Sequence, residues 1–150
     1  MTSFILFIAT GCYTGYLPKA PGTWGTLVAL PIHLLLIQFS RPTHFIALGV
    51  IFVISVAVAG TAEKIFDRKD PGAIVIDEII GMLITLAIAP NHWLAWLIGF
   101  GLFRFFDILK PFPVGWADKR LNGGLGIVMD DVLAGFYGLI CLQIIWTLLF

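Results

Sequence analysis

Two adjacent acidic pairs, Asp77-Glu78 and Asp130-Asp131, are set in apolar sequence. The first lies between Ile74-Val75-Ile76 and Ile79-Ile80-Gly81-Met82, and the second follows Ile127-Val128-Met129. Ionised carboxylates at a lipid boundary cost several kcal/mol unless they are paired or hold a metal. Neighbouring Asp side chains repel unless they share a cation or a proton. Successive helical residues diverge by about 100°, so one member of a pair is expected to face a common centre while the other supports it. The competing readings are structural: a pair drawn to a helix start by the helix dipole, or an Asp capping a helix.

Arg104, Asp107 and Lys110 recur at three-residue intervals in Phe103-Arg104-Phe105-Phe106-Asp107-Ile108-Leu109-Lys110-Pro111, and so share one broad helix face. Arg104 as a planar fork and Lys110 as a point charge suit phosphate oxygens; the alternative is an internal salt-bridge ladder. Pro111 and Pro113 end that helix. The run Gly123-Gly124-Leu125-Gly126 suits a tight loop that brings phosphate to main-chain N–H groups. Gly124 is therefore a candidate substrate contact. Pro21-Gly22-Thr23-Trp24 opens another helix, where Gly22 and the Thr23 hydroxyl offer an anion site.

Carboxylates in this number, with no Cys or His among them, suit a hard cation such as Mg²⁺ and disfavour zinc. The expected metal ligands are Asp77, Glu78, Asp130 and Asp131. Other phosphate chemistries are excluded by what is missing. Cys12 and Cys141 have Pro18 and Thr147 six positions later, so there is no Cys-x5-Arg phosphate loop, and no Asp-x-Asp nucleophile pattern occurs. His33, His44 and His92 are expected at the opposite end from the acids. Metal-assisted attack of water on a phosphate ester is the simplest chemistry left.

The elements that position these groups follow from composition. The chain is 59% hydrophobic and 12% charged, against roughly 25% charged in soluble domains. This implies one integral membrane domain over residues 1–150, with no linker and no internal repeat. Uncharged runs at 20–40, 42–62, 79–103 and 132–150 each approach the roughly 20 residues that cross a bilayer. Ala89-Pro90-Asn91-His92 breaks the third run. The expectation is an all-α bundle with five transmembrane helices at about residues 24–39, 43–61, 73–89, 93–109 and 130–150. A short N-terminal helix within 2–17, re-entrant or interfacial, completes it. Met1-Thr2-Ser3 supplies no positive start for a signal peptide.

Counting crossings brings every carboxylate to one end together with eight of the nine Lys and Arg residues, Arg41 being the exception. The positive-inside rule makes that end cytoplasmic. No basic stripe with interleaved aromatics suggests nucleic acid, and Cys12 and Cys141 read as small apolar residues. Small-xxx-small patterns such as Gly11-x-x-x-Gly15 leave a homodimer as an open partner expectation.

Four ordered motifs together resemble the bacterial phosphatidylglycerophosphatase A family over nearly the whole chain. They are Pro18 to Thr26; Ile74-Val75-Ile76-Asp77-Glu78 with Gly81; Phe103-Arg104-Phe105-Phe106-Asp107 with Lys110-Pro111; and Gly123-Gly124-Leu125-Gly126-Ile127 through Asp130-Asp131 to Ala134-Gly135. The resemblance implies a multi-pass, Mg²⁺-dependent phosphatase of the bacterial inner membrane, acting on a membrane phospholipid, phosphatidylglycerophosphate, to give phosphatidylglycerol. It places the family's acidic motifs on Asp77, Glu78, Asp107, Asp130 and Asp131, and the basic partners on Arg104 and Lys110. Asp107, Asp130 and Asp131 are then the candidate catalytic acids, with Asp107 or Asp130 the leading base. The rival from another class is a divalent-cation carrier or channel, for which acids at one end give an entrance and no route. A CDP-alcohol phosphotransferase would need an Asp-Gly-x-x-Ala-Arg run, which is absent.

Overall fold

Apolar runs punctuated by Gly and Pro fold into helices, and a computed structural model describes residues 2–149 of the chain. Among these residues there are seven α-helices and no strand: α1 (Thr2–Ala9), α2 (Pro21–Leu36), α3 (Arg41–Phe66), α4 (Ile76–Thr85), α5 (Trp93–Leu109), α6 (Val114–Arg120) and α7 (Gly123–Leu149). A 3-10 turn at Thr14–Tyr16 follows α1. The all-α expectation holds, and α5 has the limits expected for it. The anticipated end of the last helix at Phe150 lies outside the described residues.

Among the described residues, α3 and α7 are the two helices long and apolar enough to cross a membrane, and their most apolar stretches are 22% and 28% buried inside the bundle. Both leave most of their apolar surface facing outward, an exposed apolar area of the kind that marks an interaction surface. The other expected crossings are shorter. At 1.5 Å per residue, α2 reaches about 24 Å, α5 about 26 Å and α4 about 15 Å.

The short helix α4 is the centre of the architecture. Eight of its ten residues are buried, and it packs on α7, α2, α3 and α5. The pattern at 73–89 suggested a longer helix, but Ile74 turns back on Pro71, and the Val75 N–H bonds the Ala9 carbonyl. The far end tightens at Leu86–Ala89 into short-range turn bonds before Pro90. Tertiary contacts thus trim both ends of a sequence with enough helix formers to continue.

The crossing of α4 and α7 is backbone on backbone. A Cβ added at Gly135 would stand 2.5 Å from the Gly81 carbonyl oxygen, and one at Gly81 would stand 2.7 Å from that of Asp131. Thr85 Oγ1 bridges the same seam, 3.1 Å from the Gly81 oxygen and 3.2 Å from that of Gly135. This close approach, typical of small residues between membrane helices, is what brings Asp131 beside the start of α4. Gly135→Val is expected to lower the thermal midpoint in detergent, at a cost of about 1–3 kcal/mol or more. Gly101→Ala is the control: its Cβ meets nothing within 4 Å, so the greater helix propensity of Ala should leave the midpoint unchanged or raised.

Two further differences from the sequence expectation bear on the site. Residues Gly123 to Met129 form the first two turns of α7 instead of a phosphate-cradling loop. Gly124 fits there because its Cβ position lies 2.0 Å from the Val56 carbonyl oxygen and 2.6 Å from the Gly60 nitrogen. Its smallness therefore serves the packing of α7 on α3. The helix α6 was not anticipated: Pro113, expected only to terminate, is the N-cap of a new helix.

Candidate functional site

The starts of α2, α4 and α7 meet the ends of α3 and α5 at one end of the bundle. There the carboxylate oxygens of Asp77, Glu78 and Asp131 lie within 4.8 Å of one another. Asp77 and Asp131 are buried, and the Glu78 side chain is largely so. Both members of the Asp77-Glu78 pair reach the common centre, although their helical divergence suggested that only one would. They belong to the first turn of α4, whose N-terminal end favours negative charge.

Asp77 Oδ1 and Glu78 Oε2 are buried without a hydrogen-bond partner. Three carboxylates packed together, two of them with an idle buried oxygen, are a costly arrangement by themselves. An oxygen-only set of this kind fits a hard divalent cation, and Asp77, Glu78 and Asp131 are the residues that could hold it.

Asp130 stands outside that group. It lies seven residues inside α7, so it is not a helix cap, and its position one residue before Asp131 turns it to another face. Its Oδ2 accepts a 2.6 Å hydrogen bond from Lys110 Nζ, while its Oδ1 is buried and unpartnered. Asp107 accepts a short hydrogen bond from Arg104 Nη1 and lies near enough to Asp131 for their charges to interact. The same Nη1 is 4.0 Å from Glu78 Oε1. Arg104 thus links Asp107 on its own helix to the acid group on α4.

Of the remaining expected contacts, Gly22 reaches the site. It is buried at the start of α2, and a Cβ there would stand 2.2 Å from Glu78 Oε1 and 3.1 Å from Arg104 Nη1. Thr23 is partly buried in the same turn. Gly124 is engaged with α3, as described above. Lys19 is exposed, and Asp67, Arg68, Lys69 and Asp70 form an exposed loop.

The residue that sequence reasoning missed is Asp118, on the unanticipated α6. Lys110 Nζ donates to Asp118 Oδ1 and to Asp130 Oδ2, each at 2.6 Å, so one ammonium ties α6 to α7. The signal available in the sequence was Asp118 at eight residues after Lys110 in a charged island, which means little until Pro113 starts a helix. Partial burial by itself lowers the pKa of the Lys110 ammonium, but hydrogen bonds and charge from Asp118 and Asp130 outweigh it and hold the pKa well above the lysine range.

Two expectations follow for this link. Asp118→Asn, by loosening Lys110, should lower turnover about 10- to 100-fold, the range for partners that orient a functional group, in an initial-rate assay with the fold intact by circular dichroism. A raised folded-state pKa means that the stabilising contribution of Lys110 is fully present below the unfolded lysine value and is lost only above it. The difference in thermal midpoint between the native chain and Lys110→Met should therefore stay constant between about pH 6 and pH 9.

At the opposite end, His33 and His44 are buried side by side with ring centroids 6.3 Å apart, and His92 caps α5 by accepting the Leu94 N–H. The expectation that the histidines sit away from the acids is met. Cys12 and Cys141 are free.

Comparison with known proteins agrees with these motifs. Residues 7–146 match the family described as PgpA, Phosphatidylglycerophosphatase A. The chain is 37% identical over 138 residues to Phosphatidylglycerophosphatase A of Haemophilus influenzae, covering 91% of this chain and 85% of that protein. It is 37% identical over 129 residues to Phosphatidylglycerophosphatase A of Escherichia coli, covering 85% and 75%. A Bacteroides thetaiotaomicron protein provisionally designated a phosphatidylinositol-3-phosphatase is 36% identical over 146 residues, covering 93% and 91%. No solved structure matches the chain.

Proposed function

The chain belongs to the phosphatidylglycerophosphatase A family, and from that premise we propose that it is a magnesium-dependent lipid phosphatase. It hydrolyses the terminal phosphomonoester of phosphatidylglycerophosphate to phosphatidylglycerol and inorganic phosphate, a step in phospholipid biosynthesis. The observation that carries this reading is the buried group Asp77, Glu78 and Asp131, with oxygens within 4.8 Å of one another and Arg104 at its edge.

Asp77, Glu78 and Asp131 would hold the Mg²⁺. When bound, the ion supplies Lewis-acid polarisation of the phosphoryl oxygens. Arg104, kept in place by Asp107, donates to phosphate oxygens and offsets the negative charge that develops on them. Lys110 fixes one oxygen of Asp130, and the idle Oδ1 takes a proton from the attacking water. Water attacks phosphorus, the phosphorus–oxygen ester bond breaks, and the departing glycerol oxygen takes up the proton that Asp130 received, which returns Asp130 to its carboxylate form.

The membrane reading accompanies the chemistry. With α3 and α7 crossing, and α2 and α5 tilted or in locally thinned lipid, the acids lie at the end that carries eight of the nine Lys and Arg residues. In the bacterial inner membrane that end is cytoplasmic. The carrier alternative needs a polar route past α4, yet Ile80, Met82, Leu83 and Leu86 beyond the acids are fully buried and apolar.

The test is phosphate release by the purified chain in detergent micelles, with phosphatidylglycerophosphate and phosphatidylinositol 3-phosphate as parallel substrates. Faster release from phosphatidylglycerophosphate is expected. Faster release from the inositol lipid would move the chain to the activity named for the Bacteroides relative, and no release from either by folded protein would remove the phosphatase reading.

A further inference from the structure

A second polar site lies at the end of the bundle away from the acids. A cavity of about 200 Å³ there is lined by Arg41 and His44 of α3, by Asn91, and by the segment Leu86 to Ala89 that closes α4. A water's share of liquid volume is about 30 Å³, so the space takes several waters or one phosphate group.

His44 is 7% exposed and its Nε2 is buried without a partner. Behind it, His33 is 1% exposed with neither ring nitrogen bonded, and its ring stands edge-on to Trp96 at 5.6 Å. The Trp96 Nε1 is buried and unpartnered as well. Each such group forfeits about 1–3 kcal/mol unless something in the site bonds it. The unpartnered buried side-chain atoms among the described residues thus fall into two sets, one on the acids and one here.

The two sets have opposite character. All nine Asp and Glu residues belong to the islands at the other end, so no acidic side chain competes for Arg41. Of the groups that line the cavity, Arg41 can only donate, and the neutral His44 imidazole has one N–H to give. Arg41 is the first residue of the 26-residue α3, and the Ser40 side chain makes no capping bond there, which leaves the positive end of that helix at the cavity. The acid site calls for a cation; this one calls for an acceptor with negative charge.

We propose that this cavity binds the phosphate of an anionic phospholipid headgroup from the leaflet opposite the acid site. Arg41 and His44 donate to the phosphate oxygens, and the acyl chains lie along the exposed apolar face of α3, where Phe45, Ile46, Val50 and Val53 point outward. The site is separate from catalysis and does not depend on which lipid the acids process.

The test follows thermal unfolding of the full chain in neutral detergent, titrated with phosphatidylglycerol, with phosphatidylcholine, or with inorganic phosphate. Three variants are compared with the native chain: Arg41→Gln, His44→Leu and Asp131→Asn. Phosphatidylglycerol is expected to raise the midpoint more than phosphatidylcholine, with the response shifted to about tenfold higher lipid or more in Arg41→Gln and unchanged in Asp131→Asn. Arg41 is exposed, so its variant folds even if His44→Leu does not, and its basal phosphate release should equal that of the native chain. An undiminished response in Arg41→Gln, loss of the response in Asp131→Asn, or equal responses to the two lipids would each overturn the proposal. A full response to inorganic phosphate alone would also overturn it, by showing a free-anion site in place of a lipid site.

Discussion

Asp131→Asn is expected to lower phosphate release at least about a hundredfold while raising the thermal midpoint of the chain in EDTA. Both effects come from one cause. Three carboxylates held within 4.8 Å repel when no cation is shared, and an amide of the same shape relieves that repulsion. A gain of about 0.5–2 kcal/mol is the usual size when a functional site is relaxed in this way. The stabilisation that Mg²⁺ gives the native chain should be largely lost in the variant, because one of the three proposed ligands is missing. Asp130→Asn separates ligand from base. It should lower turnover on a similar scale yet keep the Mg²⁺-induced rise in midpoint, since Asp130 is turned to Lys110 and stands outside the group. If both variants lose the cation response equally, Asp130 is a ligand after all and the base must be sought elsewhere, with Asp107 first.

Arg104→Lys should cost about a hundredfold or more in kcat/KM, although the charge is kept. The planar fork of Arg104 holds Asp107 and at the same time reaches within 4.0 Å of Glu78. Both contacts are made by Nη1, which leaves the other N–H groups of the fork for phosphate, whereas a lysine offers a single compact ammonium for all three partners. The loss should fall mainly on kcat, since charge neutralisation matters most as the transition state forms, and adding Mg²⁺ should not restore it. Equal activity in Arg104→Lys, measured as initial rates over a range of lipid mole fractions, would mean that only a positive charge is needed there.

Much of this arrangement can be read from residue types and spacing. The acids of two distant segments were assigned to one end by counting apolar runs, and α5 was bounded correctly because Pro90 and Pro111 bracket a largely apolar stretch of helix formers. The unread parts share a physical origin, which is that tertiary packing overrides local preference. Gly123 to Met129 looks like a loop because glycine is a poor helix former, yet Gly124 is the residue that lets α7 press against α3. The segment 73–89 looks like a full crossing, yet hydrogen bonds at its two ends shorten it to ten residues, eight of them buried. Asp118 was missed because Pro113, expected only to help end the preceding helix, instead caps a short new one, α6. The direction of each acid was likewise beyond a sequence pattern: only the Gly81–Gly135 crossing decides that Asp131 turns to α4 while Asp130 turns to Lys110.

The central claim is that Asp77, Glu78 and Asp131 hold a divalent cation without which the chain does not release phosphate. The most direct measurement is phosphate release from phosphatidylglycerophosphate in detergent micelles after EDTA treatment, followed by stepwise return of Mg²⁺, for the native chain and Asp131→Asn. The account predicts negligible release in EDTA, recovery that saturates with Mg²⁺ in the native chain, and no recovery in the variant. Release that continues undiminished in EDTA, or that Asp131→Asn performs at the native rate, would contradict it.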